Sequence, residues 1–306
     1  MPLIQNLFIM VIMKVLILAD THYDNGSRHL HYPASEKAVK GFWDWLGTES
    51  KNYDIVAVCG DVSVKGTKYL SELSFVKEQF DKLRVPYIAT AGNHDLCATK
   101  GMEERYPDLE EYEYVSLEET NYYKAFGEDG VRYSKVYNGI RFIGFSIRNE
   151  DPDDQLPWLM AELEKPEPKL VFGHFPLIAS RTGGYCKEWD YSRIDKCIPS
   201  LIDMLGDKKH RVLAYFCGHQ HINSIVPMVS TYQIETGSTV LTTTSYRILE
   251  ITDSEVNIST HRLPYMDGYA GELTLPERSI DDEHPTVHEY HFGNKADLSI
   301  TIKYSK

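Results

Sequence analysis

Short apolar runs recur along the first two-thirds of this chain, and polar signatures follow most of them. Residues 15–19, 55–59, 87–91, 142–145, 170–172 and 212–217 are strand-length and apolar enough to be buried on both faces. Between several of them the period changes to that of a helix. Residues 34–46 place Val39, Phe42, Trp43 and Leu46 on one face, and residues 67–83 space Leu70, Leu73, Val76, Phe80 and Leu83 three or four apart. Residues 155–163 and 194–205 repeat the pattern. Strand–helix–strand alternation predicts a largely parallel, buried sheet with helices outside it. From Ser224 the texture changes. Runs at 225–229, 233–235, 245–251 and 255–261 stand at turn-length gaps and predict an antiparallel region, with 297–304 as a last strand. No internal repeat, low-complexity tract or linker divides the chain, which predicts one domain with a trailing β-rich extension.

The polar signatures are Asp20-Thr21-His22, Gly60-Asp61, Gly92-Asn93-His94-Asp95, Gly173-His174 and Gly218-His219-Gln220-His221. In sheets of this kind ligands bind beyond the carboxyl ends of the strands, so residues spread from 20 to 221 are expected to meet in one place. The side chains are carboxylate, amide and imidazole, with no thiolate among them, and they exceed what one ion needs. A carboxylate can bridge two cations through its two oxygens, which an imidazole cannot. Gly60 is expected to let the backbone before Asp61 turn closely beneath a bound ion. A hydrolytic site holding two metal ions is the expectation.

Bulk composition narrows the partners. With 42% apolar and 25% charged residues the chain reads as an ordinary soluble globular protein. A net charge of -13 argues against general affinity for nucleic acid, whose phosphates need a basic surface. The five cysteines are widely spaced with no CxxC pair, which fits a reduced cytoplasmic setting and leaves a Cys186–Cys197 disulfide open. Residues 7–19 are mostly apolar, but Lys14 interrupts them and no basic segment or cleavage site flanks them. They are read as neither a signal peptide nor a membrane span. Residues 1–13 are then an apolar extension before the domain. Two stretches look inserted after site motifs, 102–130 and 179–191, and each is expected to line or cover the pocket.

The order DxH, GD, GNHD, GH, GHxH resembles the calcineurin-like metallophosphoesterases, from about Lys14 to Ile251. The resemblance implies an α/β fold of two packed mixed β-sheets flanked by helices, a layered sandwich, over residues 14–262, with 263–306 packed on the same domain. It implies that Asp20, His22, Asp61 and His221 hold one metal while Asp61, Asn93, His174 and His219 hold the other, so that Asp61 bridges. It also implies a metal-dependent phosphoric ester hydrolase acting on small phosphodiesters or phosphomonoesters by attack of a metal-bridging hydroxide. His94 then contacts the phosphate and protonates the leaving oxygen. The ions would be two divalent or mixed-valence transition metals, with Mn, Fe or Zn suiting mixed N/O ligands. Asp95 is expected to support the loop rather than bind metal.

Departures narrow the branch. Purple acid phosphatases carry a Tyr three residues after the bridging Asp, where this chain has Val64. Ser/Thr protein phosphatases show GDxxDRG and GNHE, where this chain has Gly60-Asp61-Val62-Ser63-Val64-Lys65-Gly66 and Asp95. The pattern is nearest to bacterial class III cyclic-nucleotide phosphodiesterase-like proteins, although Phe175 stands where many relatives have a second His. The expected partner is a small phosphate ester, without nucleic acid or membrane. A nuclease of the same superfamily, or a weakly catalytic binding scaffold on the same fold, are the alternative readings.

Overall fold

Three strands of the amino-terminal half lie side by side in parallel: β1 (Met13–Leu18), β2 (Ile55–Cys59) and β3 (Tyr87–Thr90), with Val15 opposite Ile55 and Val56 opposite Tyr87. Helix α1 (Glu36–Glu49) joins the first pair and α2 (Leu70–Asp81) the second. The computed structural model describes residues 12–24, 36–96, 115–188, 194–241, 243–266 and 276–305.

The continuous parallel sheet expected from the alternation divides into two. After β3 the chain forms β4 (Arg132–Tyr137), antiparallel to β5 (Ile140–Phe145), and a second sheet grows from that hairpin. Its turn, Asn138-Gly139, has φ of 49° and 80°, the two positive values that a two-residue hairpin loop requires. β4 escapes the apolar pattern because it is an edge strand with only Tyr133 buried. β6 (Lys169–Phe172) and β7 (Val212–Cys217) continue in parallel, followed by β8 (Ser224–Met228) and β9 (Thr231–Glu235). The order is β4-β5-β6-β7-β9-β8. The first sheet is completed by β10 (Ser245–Ile251), β11 (Glu255–Arg262) and β12 (Ser299–Lys303), giving β12-β11-β10-β1-β2-β3. Both sheets are mixed, as the family resemblance implies.

Alternation along the strands builds the layers. Val15, Ile17, Ala57 and Ile88 of the first sheet face Phe142, Leu170, Phe172 and Phe216 of the second, closing the core between them. Leu16, Leu18, Val56 and Val58 point the other way, onto Phe42 of α1 and Leu73, Val76 and Phe80 of α2. Ile143, Val171 and Tyr215 pack on helices Gln155–Leu163 and Ile198–Gly206 through Leu159, Leu163, Leu201 and Leu205. The result is a helix–sheet–sheet–helix sandwich.

Residues 263–305 add β12 and two short helices, Val287–Phe292 and Lys295–Leu298. The described part of the 102–130 stretch is helical from Asn121 and packs Tyr122 and Phe126 into the core beside Phe80. Cys59, Cys186, Cys197 and Cys217 are buried free thiols, so the Cys186–Cys197 pairing is not formed, and Cys97 lies outside the described residues. Of residues 1–13 only Ile12 and Met13 are described, and Met13 already belongs to β1. Among the described residues no helix is long and apolar enough to cross a membrane.

Candidate metal centre

Five strand ends converge on one site. Asp20 and His22 follow β1, Asp61 follows β2, and Asn93 and His94 follow β3; His174 follows β6, and His219 and His221 follow β7. The centre therefore lies where the carboxyl ends of both sheets meet. Three clusters of ligand atoms result: Asp20, His22 and His221; His22, Asp61 and His94; Asp61, His174 and His219, each within 4.8 Å. Asp61 belongs to two of them.

The distances show side chains converging on common points. His22 Nε2 and His221 Nε2 are 3.0 Å apart, and Asp20 Oδ1 lies 3.3 Å from the latter. His174 Nε2 is 3.2 Å from Asp61 Oδ2. Backbone carbonyls fix the rings. Cys59 O, at 2.8 Å, takes the Nδ1 proton of His174, which leaves Nε2 as the ligand atom facing Asp61. Val64 O does the same for His94 at 2.7 Å, and its Nε2 stands 4.0 Å from Asp61 Oδ2.

The backbone here is strained. Asp20, His22, Asp61, His219 and His221 all have positive φ, from 40° to 77°, a left-handed conformation that side chains with a Cβ adopt at a cost. Hydrogen bonds between motifs hold it: Asp20 N to Gly60 O, His22 N to Asp61 O, His94 N to Asp61 Oδ1, and His219 N to the Asp20 carboxylate. Gly60 is pressed against another motif, since a Cβ there would collide with the His174 ring. The close approach read from the sequence is thus to an imidazole. Gly218 abuts the Asp20 carboxylate in the same way. Asp95 accepts from Val62 N, Ser63 N, Ser63 Oγ and Gly92 N at 2.7–3.1 Å, tying the Asp61 loop to the Asn93 loop. Phe175 sets its ring edge-on against His174 and His219, with centroids 4.9 and 5.0 Å away.

Electrostatics favour a cation. Burial alone would raise the Asp61 pKa, but the His174, His94 and His22 imidazoles outweigh it and hold the carboxyl well below the usual range. Burial pulls His174 down, while the Asp61 charge carries it up to about 9. The carboxylate thus retains a positive neighbour, a role that a metal ion takes over by displacing the proton. Asn93 Oδ1 is the clearest sign of fit. It is buried with no hydrogen-bond partner, which leaves an acceptor desolvated at a cost of about 1–3 kcal/mol unless a cation meets it. The donor set, carboxylate, amide oxygen and imidazole, suits divalent transition metals.

Seven of the eight residues singled out from the sequence meet in these clusters, and the eighth, Asn93, is buried next to His94 in the chain with its Oδ1 unpartnered. The carbonyls of Cys59 and Val64 had no signal, because a backbone carbonyl has no residue type. The 179–191 stretch was expected to line or cover the pocket. In its described part Arg181 and Tyr185 are buried and donate to Asn223 O and Gln220 O.

A two-sheet sandwich gathering O and N ligands at the strand ends defines a metal-binding hydrolase class. The chain belongs to the calcineurin-like phosphoesterase family, whose sequence model matches residues 13–223. Among curated proteins none matches it. Among solved structures the fold is similar to a dimetal phosphatase from Danio rerio, at 14% identity and a TM-score of 0.56, covering 96% of this chain and 99% of that one. It is also similar to a purple acid phosphatase from yellow lupin (Lupinus luteus) seeds, at 14% identity and 0.59, with 97% of this chain covering 54% of that one. A third similar structure is GAP50, the anchor in the inner membrane complex of Plasmodium, at 14% identity and 0.52, covering 82% and 88%. At these identities the likeness is one of fold.

Proposed function

We propose that this protein is a two-metal phosphoesterase that hydrolyses small phosphodiesters or phosphomonoesters. The observation that carries the reading is that Asp61 shares one cluster with His22 and another with His174 and His219, while Asn93 Oδ1 is buried without a partner. Asp20, His22, Asp61 and His221 would hold one ion; Asp61, Asn93, His174 and His219 would hold the other. When bound, such a pair polarises the phosphoryl oxygens and lowers the pKa of a water at the site. The chain's own residues do the rest. Cys59 O keeps His174 in the tautomer that presents Nε2. Asp95 keeps the Asp61 and Asn93 loops in register. His94, with Nδ1 held by Val64 O and its side chain 11% exposed, presents Nε2 to substrate and gives a proton to the leaving oxygen.

Val64 stands where a purple iron site needs a tyrosine, and the Gly60–Gly66 segment lacks the protein-phosphatase Asp and Arg; the motif pattern resembles class III cyclic-nucleotide phosphodiesterase-like proteins, which puts cyclic nucleotides among the small diesters and monoesters to be tested. Mn, Fe or Zn suit the ligands, and buried free thiols suit a cytoplasmic setting. Metal analysis of the purified protein, followed by hydrolysis of aryl mono- and diesters, 2′,3′- and 3′,5′-cyclic nucleotides and glycerophosphodiesters, tests the proposal. About two ions per chain and turnover of one ester class are expected. A protein that binds no metal and turns over no ester after Mn²⁺, Fe²⁺ or Zn²⁺ is added overturns it.

A further inference from the structure

The loop from His219 to Asn223 carries two of the proposed ligands in an unfavourable backbone. His219 and His221 have φ of 77° and 56°, in the left-handed region that residues with a Cβ adopt at a cost. Such conformations persist where surrounding contacts over-determine them. Asp20 holds His219 N, and Ser245 and Gly237 hold the Asn223 side chain; further contacts to the loop come from two segments distant in sequence. Tyr185 Oη donates to Gln220 O at 2.9 Å. The His291 ring hydrogen-bonds the backbone of His221, and its carbonyl accepts from Asn223 N at 2.8 Å. Arg181 Nη2 donates to Asn223 O at 2.8 Å. From the sheet itself, Glu235 Oε1 takes Gln220 N at 3.3 Å.

The two segments are locked to each other. Arg181, fully buried, directs Nε and Nη2 at Tyr290 O, 3.0 and 2.8 Å away. Cys186 N donates to Tyr290 Oη, which donates on to Gly183 O, both at 2.9 Å. Tyr185, Cys186 and Tyr290 enclose Ile222, the apolar residue of the loop, in a small buried cluster. Tyr185 Oη and Arg181 Nη2 donate to backbone carbonyls of the loop, while the rest of the guanidinium binds Tyr290 O, Ser180 O and the Asp297 carboxylate.

We infer that Tyr185, Arg181 and His291 are positioning residues that hold the His219–Asn223 loop in its left-handed form, so that both histidines reach the metal centre. The inference rests on the two-metal reading. It makes the segment around His291, outside the matched family span of residues 13–223, a working part of the site.

Tyr185→Phe removes one hydroxyl and leaves the ring in its cluster. Metal-stripped wild type and variant are titrated with Mn²⁺ by calorimetry, and Co²⁺ absorption reports ligand geometry. The expected result is an affinity about tenfold or more weaker and an altered Co²⁺ spectrum, as for other residues that orient ligands. The melting temperature of the metal-stripped variant stays within a few degrees of wild type. Equal affinities and identical spectra overturn the inference, as does a loss of melting temperature without a change in metal binding. If Tyr185→Phe does not fold, His291→Gln is read by the same criteria. Wild-type protein that binds no Mn²⁺ or Co²⁺ brings down the two-metal reading and this inference together. A variant that matches wild type brings down the inference alone.

Discussion

One edge of the His94 ring is committed to Val64 O, and the other faces Asp61 from 4.0 Å. Fixed in this way at the metal centre, the ring is placed to act as the proton donor of the proposed reaction. His94→Asn is expected to keep its metal content and to lose about 10²–10⁴-fold in kcat on alkyl esters. Nitrophenyl esters, whose leaving group departs without a proton, should lose far less; equal losses on both would remove His94 from that role. Asp61→Asn weakens both clusters at once, so metal content by emission spectrometry should fall from two ions to one or none. If the variant keeps both ions, Asp61 is not the bridge. These residues were legible because each signature pairs a ligand-type side chain with glycine or a second polar group at the end of an apolar run. The role of Asp95 was half legible: its neighbourhood marked it as support, but the four donors it holds come from residues 62, 63 and 92 and needed the folded loops.

Helix α2 starts close to the site, and its first turn carries a buried acid. Glu72 is 1% exposed and accepts the backbone N–H of Lys65 at 2.8 Å. Burial, partly offset by that bond, lifts its pKa to about 7 from 4.5. Between those values the folded protein binds more protons than the unfolded chain, so stability falls as pH rises. The favourable contribution is complete below about pH 4.5 and lost as pH passes about 7. Glu72→Gln keeps an acceptor for Lys65 and removes the titration. Relative to wild type it should gain up to about 3 kcal/mol between pH 4.5 and 8, read from urea midpoints at each pH. A difference that does not vary with pH would place the cost elsewhere. Buried elements such as α2 and β2 were readable from periodicity. β4 was not, because an edge strand buries too little to show a pattern, although Asn138-Gly139 marked its turn.

Metal and fold are coupled because the proposed ligands come from both sheets. The first sheet supplies Asp20, His22, Asp61 and Asn93, and the second supplies His174, His219 and His221. Ions bound at this junction would staple two layers otherwise joined by the apolar core, and ligands drawn from both sheets converge only in the native state. Saturation at 100 times Kd adds about 2.7 kcal/mol by mass action. Chelation should therefore lower the melting temperature by several degrees, and Mn²⁺ or Zn²⁺ should restore it. Identical melting curves with and without chelator would show that no ion links the sheets. The sequence alone settled the alternation of strands and helices, the set of ligand-type side chains and the family, because periodicity and short motifs are local properties. Folding decided the division into two sheets, the carbonyls that orient each imidazole and the support of the β7–β8 loop by Tyr185, Arg181 and His291. Those depend on contacts between backbone groups and on pairs far apart in sequence, such as Cys59 with His174, 115 residues on, and no local pattern encodes them.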